Sequence, residues 1–184
     1  MTRDSELIED IKNIFSEHNL SGCYAVETGC EFDIVEIDDR SCIKNGIAPS
    51  FKISNPNLKS VRFIAIDHCF ITDATGYTGK RNDCVIFDDI DFCFIELKLN
   101  VTSHKTRRER TKEAMEQLEA GIDYFKANFH KSSKNFMSLG FNYEAYIVFP
   151  TPVYPKIMAS GTNRQAKFAK LGVKLIEDNK KTFS

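Results

Sequence analysis

The chain of 184 residues lacks any apolar run approaching the roughly 18 residues of a membrane-spanning helix, which argues against a helical membrane protein. It lacks a Cys-x-x-Cys pair: its six cysteines (23, 30, 42, 69, 84 and 93) are scattered, so reduced thiols packed in strands are expected rather than a zinc site. It lacks a phosphate-cradling loop, because "TGYTGK" at 75–80 has neither the P-loop spacing nor its following helix. His104 and His130 have no Ser or Cys partner at a spacing useful for nucleophilic catalysis. Nor is there a surplus of either charge, 25 basic residues standing against 26 acidic ones, which argues against a polybasic nucleic-acid binder. The first residues, "MTRDSELIEDIKNIF", are charged and helix-patterned, unlike a secretory signal. Cytoplasmic residence and no membrane partner are therefore the expectation. The length suggests a single domain over 1–184 with room for a sizeable core.

What is present is an uneven charge distribution. Residues 1–40 hold 11 acidic and 3 basic side chains, a surface suited to a basic protein partner. The densest basic run, "HKTRRERTK" at 104–112, follows Lys98 by six residues. It reads either as a solvated helix face or as a phosphate contact surface.

Periodicity predicts a first helix over 5–18, with Leu7, Ile8, Ile11, Ile14 and Phe15 on one stripe. Residues 20–58 read as short strands and loops, a possible insertion. A long strand is expected over 60–73, in which His68 alternates with Ile64, Ile66 and Phe70 as a core or edge histidine. Strands follow at 83–88 and 91–100. Thr106 and Glu109 then form a capping-box pattern ahead of a helix whose apolar stripe is Ala114, Leu118, Ile122, Phe125 and Phe129. A strand at 142–150, a second capping box at Thr162 and Gln165, a stop at Gly172 and a last strand "VKLIE" complete the pattern. The fold class is α/β (α+β), a central mixed β-sheet flanked by helices.

The stretch "KRNDCVIFDDIDFCFIELK" at 80–98 places charged groups among apolar ones, which is costly unless something compensates them. A hairpin turning at Asp89–Ile90 pairs 87 with 92 and 85 with 94, and brings Asp83 opposite Glu96. Period-two alternation puts Lys98 on the face of Phe92, Phe94 and Glu96, and sends Ile95, Leu97 and Leu99 to the other. Adjacent carboxylates repel, and a divalent cation with oxygen ligands resolves the conflict. A neighbouring ammonium can orient a metal-bound water or stabilise a phosphate in flight. The bland alternative is a hairpin with a solvated polar face.

These residues resemble the PD-(D/E)XK nuclease (restriction endonuclease-like) superfamily, whose pattern is an Asp at the start of one core strand and an acid-x-Lys on the next. Here those positions are Asp83 and Glu96-Leu97-Lys98, with Asn82 where the motif name has Pro. The resemblance implies a helix–three strands–helix–strand core over about 4–18 and 60–150. It implies Mg2+ or Mn2+ held by Asp83, Glu96 and the backbone carbonyl of Leu97, with Lys98 near the attacking water. Some branches carry a Gln and then a Tyr on the helix after the Lys strand; Gln117 and Tyr124 are the candidates, at a longer spacing than in those branches. A Glu of the first helix often assists, and Glu6 and Glu9 both lie opposite the apolar stripe here. The resulting expectation is a metal-dependent endonuclease acting on DNA, with RNA as second choice, and with Lys105, Arg107, Arg108 and Arg110 on phosphates. A homodimer is compatible with it. The rival is a nuclease-like fold without activity that binds nucleic acid or protein.

Overall fold

The computed structural model describes residues 2–101, 103–150 and 158–184. Its class is mixed α/β: two mixed sheets are flanked by three α-helices among the described residues. Helix α1 spans Arg3–Ile14, and Leu7, Ile8, Ile11 and the following Phe15 are its buried face. It ends a turn earlier than periodicity predicts, at Phe15, whose carbonyl accepts from His18 N–H.

Residues 20–58 do form short strands: β1 (Tyr24–Glu27), β2 (Glu31–Ile37), β3 (Arg40–Ile43) and β4 (Phe51–Ser54). Asp38 and Asp39 both have positive φ (53° and 58°), which is what a two-residue hairpin turn between β2 and β3 requires. The predicted strand over 60–73 stops early, as β5 (Val61–Ala65). There the chain leaves the sheet through His68, whose φ is 55°, and Cys69 forms a disulfide with Cys23. His68 is thus an exposed loop residue rather than a strand histidine, and two of the six cysteines are paired rather than reduced.

The hairpin is β6 (Cys84–Phe87) and β7 (Asp91–Leu97), with the turn at Asp89–Ile90. The Asp88 carboxylate fixes that turn by accepting from the N–H groups of Ile90 (2.8 Å) and Asp91 (2.7 Å). Helix α2 runs over His104–Lys131, and its N-cap is Ser103 rather than Thr106; the Ser103 hydroxyl accepts from Thr106 N–H. After it come β8 (Asn142–Val148), α3 (Met158–Lys170), β9 (Lys174–Glu177) and β10 (Lys180–Thr182). Helix α3 begins ahead of Thr162, where a second capping box is expected, and β10 carries no strong sequence signal. Gly172, with φ of 80°, does end the last helical turn.

The first sheet has the order β1-β5-β6-β7-β8-β9, antiparallel up to β7 and parallel across β7–β8–β9. Its Phe92, Phe94, Ala145 and Ile147 face the helices, packing on Leu118, Ile122, Phe125 and Phe168. Its Ile86, Cys93, Ile95 and Val148 face the second sheet, ordered β10-β4-β2-β3, and pack on Phe32, Ile34, Phe51 and Ile53. The result is three layers: helices, sheet, sheet. No helix among the described residues is long and apolar enough to cross a membrane.

One charged group crosses the seam between the sheets. Lys181 of β10, only 7% exposed, donates to Asp91 (2.7 Å) and Glu144 (2.7 Å) of the first sheet. Both carboxylates are themselves mostly shielded, so removing the ammonium takes away the buried charge that compensates them, leaving Glu144 the more exposed Lys174 at 3.9 Å. Lys181→Ala is expected to destabilise the protein by about 3 kcal/mol in denaturant unfolding at neutral pH; an unchanged midpoint would show the seam does not depend on this lysine.

Candidate active site

The register of the hairpin agrees with the sequence reading as far as Cys84↔Ile95. At the next residue the ladder changes. Asp83 N–H donates to the carbonyl of Ile95 (3.1 Å), the residue already opposite Cys84. Two consecutive residues of one strand therefore face a single residue of the other, the arrangement of a β-bulge, which turns a side chain away from simple alternation. The Asp83 carbonyl points to β5, accepting from Ile66 N–H (2.8 Å) and the Ser41 hydroxyl (2.9 Å). The Asp83 carboxylate accepts from the backbone N–H of Leu97. Asp83 and the Glu96-Leu97-Lys98 segment are thus joined by a direct bond, through the amide of the middle residue.

Asn82, fully buried, holds this bulge. Its side-chain amide donates to the Cys84 carbonyl (2.7 Å) and lies 3.5 Å from that of Ile95. Its Oδ1 lies against α2 at Gly121, where an added Cβ would come within 2.1 Å. A glycine in the middle of a helix, normally unfavourable, is what permits this approach.

Glu96 has no exposed surface. Its Oε1 accepts from Lys98 Nζ (2.6 Å), while Oε2 has no hydrogen-bond partner among the described residues. Lys98 also donates to Gln117 Oε1 (2.9 Å), and Gln117 Nε2 donates to the Arg81 carbonyl (3.0 Å). Helix α2 therefore orients the ammonium from one side and clamps the segment preceding Asp83 from the other. Arg81 in turn donates to Asp67 (3.2 Å) and Asp73 (2.7 Å).

The electrostatics follow from burial. Desolvation pushes the Asp83 carboxyl up to about 7, partly offset by the Leu97 N–H and by Lys98. Desolvation also raises Glu96 well above the ordinary carboxyl range, and the charge on Asp83 adds to it while Lys98 opposes it. Asp67 pushes both in the same direction.

Not every predicted residue joins this group. Arg107 lies over the Phe149 ring (4.3 Å) and 3.6 Å from Glu177, so it is committed to the packing of α2 against the sheet end. Arg110 pairs with Glu113 (2.6 Å), and Arg108 is exposed. The side chain of Lys105 lies outside the described residues. Tyr124 meets His18 (2.7 Å) within an aromatic group rather than Lys98. Glu6 and Glu9 are exposed, Glu9 pairing with Lys12. Sequence reasoning missed Arg81, Asn82 as a structural clamp, Gly121 and Asp67. The one available signal was Gly121, an isolated glycine inside a strong helix pattern, which often marks a close approach.

The donor set fits a hard divalent cation. Glu96 presents a buried oxygen with nothing bonded to it, and Asp83 a second carboxylate close enough to shift it. Among the described residues there is no group of three or more His, Cys, Asp and Glu side chains able to hold a metal. A cation here would take two carboxylates and complete its shell with backbone oxygen, water and phosphate, as Mg2+ commonly does. Comparison with known protein families, with curated proteins and with solved structures gives no match.

Two predictions follow from the geometry. Gly121→Ala forces Asn82 out of its place and is expected to cost about 1–3 kcal/mol, read by thermal denaturation; Asn82→Gly in the same background should recover part of the loss. The second concerns pH. Because both carboxyls are raised in the folded state, the folded protein binds more protons than the unfolded chain above about pH 4. Without metal, these two groups make stability fall as pH rises, Asp83 contributing until about pH 7. Glu96→Gln should flatten that decline in a series of melting curves, and millimolar Mg2+ should stabilise the wild type more at pH 8 than at pH 5. A wild-type and mutant pair with parallel pH dependence would contradict the assignment.

Proposed function

We propose that this protein is a metal-dependent nuclease that hydrolyses phosphodiester bonds, with DNA as substrate. The observation that carries the reading is the buried, half-bonded Glu96 carboxyl beside Asp83 and Lys98. A spare buried oxygen alone does not mark a cation site, since Asp4 keeps one beside Arg62; what distinguishes Glu96 is the neighbouring carboxylate of Asp83, whose charge adds to its own, a conflict that a divalent cation would resolve. The resemblance of Asp83 and Glu96-Leu97-Lys98 to the PD-(D/E)XK pattern supports the same conclusion. So does the succession of α1, the three antiparallel strands β5, β6 and β7, then α2 and the parallel strand β8.

In this reading Asp83 and Glu96 hold Mg2+ or Mn2+ with the carbonyl of Leu97. When bound, the cation lowers the pKa of a water and offsets charge on the scissile phosphate. Lys98, fixed by Glu96 and Gln117, holds its ammonium toward the attacking water and the phosphoryl oxygens, where it counters developing negative charge. Gln117 is a positioning residue, acting through Lys98. Arg108 and Arg110 supply phosphate contacts on the same helix, together with Lys105. Arg107 serves mainly the fold.

The second reading, a nuclease-like fold used only for binding, is favoured by one feature: the Arg107 and Arg110 side chains are matched by acidic neighbours. A protein partner at the acidic N-terminal region belongs to that reading, although Asp4 pairs with Arg62 and Asp10 with Lys134.

Incubation of purified protein with plasmid DNA and Mg2+ or Mn2+ decides between them. Cleavage is expected, with a loss of about 100-fold or more in rate for Glu96→Gln and for Lys98→Ala, and a smaller loss for Gln117→Ala. Cleavage at the wild-type rate in both Glu96→Gln and Lys98→Ala would refute the assignment, and DNA binding without metal dependence or cleavage would establish the second reading.

A further inference from the structure

Two clefts flank the Lys98–Gln117 pair. One is lined mainly by polar side chains, among them Asp67, Lys80, Arg81 and Gln117. The other, of about 410 Å3, is lined by Val35, Ile47, Pro49 and Leu99 together with Lys98 and Arg110. They meet where Lys98 bonds Gln117 (2.9 Å) and where Arg110, on the larger cleft, pairs with Glu113 of the smaller (2.6 Å). Of the candidate catalytic groups, Lys98 and Gln117 thus line the clefts, with Glu96 buried behind Lys98.

The lining of the larger cleft combines the cations Lys98 and Arg110 with exposed Ile47, Ala48 and Pro49 from the loop between β3 and β4, and half-exposed Leu99. Of the large apolar side chains exposed among the described residues, Ile47 is the one that shares a cleft with Lys98. Glu36 stands in the same cleft and disfavours a phosphate near itself, leaving Lys98 and Arg110 as the phosphate end.

Duplex DNA offers such a wall little, because its bases are stacked inside and its outer surface is sugar and phosphate. An unstacked base offers an apolar face; proteins that bind single strands stack such faces on aromatic side chains beside a cationic backbone track, and pockets that take one flipped base hold it between aromatic or apolar side chains. The volume lies within the roughly 300–1,000 Å3 usual for small-ligand pockets, so one nucleotide is a suitable occupant.

We infer that this cleft is a subsite for one unpaired nucleotide of a DNA strand, its base against Ile47, Pro49 and Leu99 and its phosphate toward Lys98 and Arg110. The inference deepens the nuclease reading and rests on it for the placement of the phosphate. It makes the substrate single-stranded DNA, or duplex DNA with an unpaired nucleotide at the scissile bond. The second sheet thereby acquires a role in selection: its β3–β4 loop forms the wall that an intact duplex cannot use.

The test is fluorescence anisotropy with a short labelled single-stranded DNA and the duplex of the same sequence, in Ca2+ to hold back cleavage, followed by cleavage of both in Mg2+. The single strand is expected to bind about tenfold tighter than the duplex. Ile47→Glu should lose about tenfold of that affinity, within what one stacked base contributes, while Val26→Glu, on the exposed edge strand β1, should leave it unchanged. Equal or tighter duplex binding overturns the inference, as does an Ile47→Glu protein that binds the single strand like wild type. The two readings fail separately. Selective single-strand binding sensitive to Ile47, without cleavage in Mg2+, retains the subsite and removes the nuclease; duplex cleavage indifferent to Ile47→Glu does the reverse.

Discussion

A carboxyl group with no exposed surface is the constraint around which this protein is arranged. Glu96 occupies a position on β7 that alternation would give to a third large apolar residue after Phe92 and Phe94. Two steps of that face pack against the aromatic side of α2, and the third carries charge. The free energy of desolvating that charge has to be offset locally, and the surrounding residues are disposed to do so. Lys98 supplies the opposite charge, Gln117 keeps Lys98 in place, and the Arg81 carbonyl keeps Gln117 in place. The offset is incomplete, because one oxygen is left over.

Precision at this point comes from the core rather than from the site itself. Leu118, Ile122, Phe125 and Phe129 seat α2 on the sheet, so Gln117, immediately before Leu118, has little freedom to move. The same helix presents Gly121 to Asn82, which fixes the bulge that aims Asp83. A single element therefore sets the positions of both the lysine and the aspartate. On the opposite face, the second sheet is fastened through Lys181 and carries the loop that walls the larger cleft. Rigid layers with chemistry at their common edge allow a small protein to hold a site within the tolerance that catalysis demands.

The parts legible in the sequence were those set by local rules. A two-residue turn in a strongly alternating stretch leaves one register, so Phe87↔Phe92 and Val85↔Phe94 could be read directly, and the stripe of α2 needed only helical spacing. What stayed hidden depends on contacts distant in the chain. The bulge at Asp83 exists because Asn82 fits against a helix some forty residues on. The strand after Val61 ends at Ala65 because the chain turns away to reach Cys23 and to place two amides near the Asp83 carbonyl; nothing in "IDHCFITD" announces it. The cap of α2 was misplaced by three residues because Ser103 and Thr106 are equally good caps by type. The second sheet escaped because its strands are short and one arrives from the C-terminal end.

Charge accounting at the site gives the strongest physical reason to expect a cation. Asp67 is matched by Arg81, and Glu96 by Lys98. Asp83 accepts from the Leu97 amide and is offset in part by Lys98, which Glu96 shares, while Arg81 is shared by Asp67 and Asp73, so the acids here outnumber the cations beside them when all are ionised. Burial raises both carboxyls without metal, and a proton on either would also remove that excess. A divalent cation would do more: it would cancel the excess negative charge and remove the repulsion that a phosphate would otherwise meet there. In a chain whose overall charge is close to neutral, long-range attraction of a polyanion is weak. In the proposed reading, metal binding would thus remove a local repulsion of the polyanion, coupling affinity for substrate to the ion that would assist its hydrolysis.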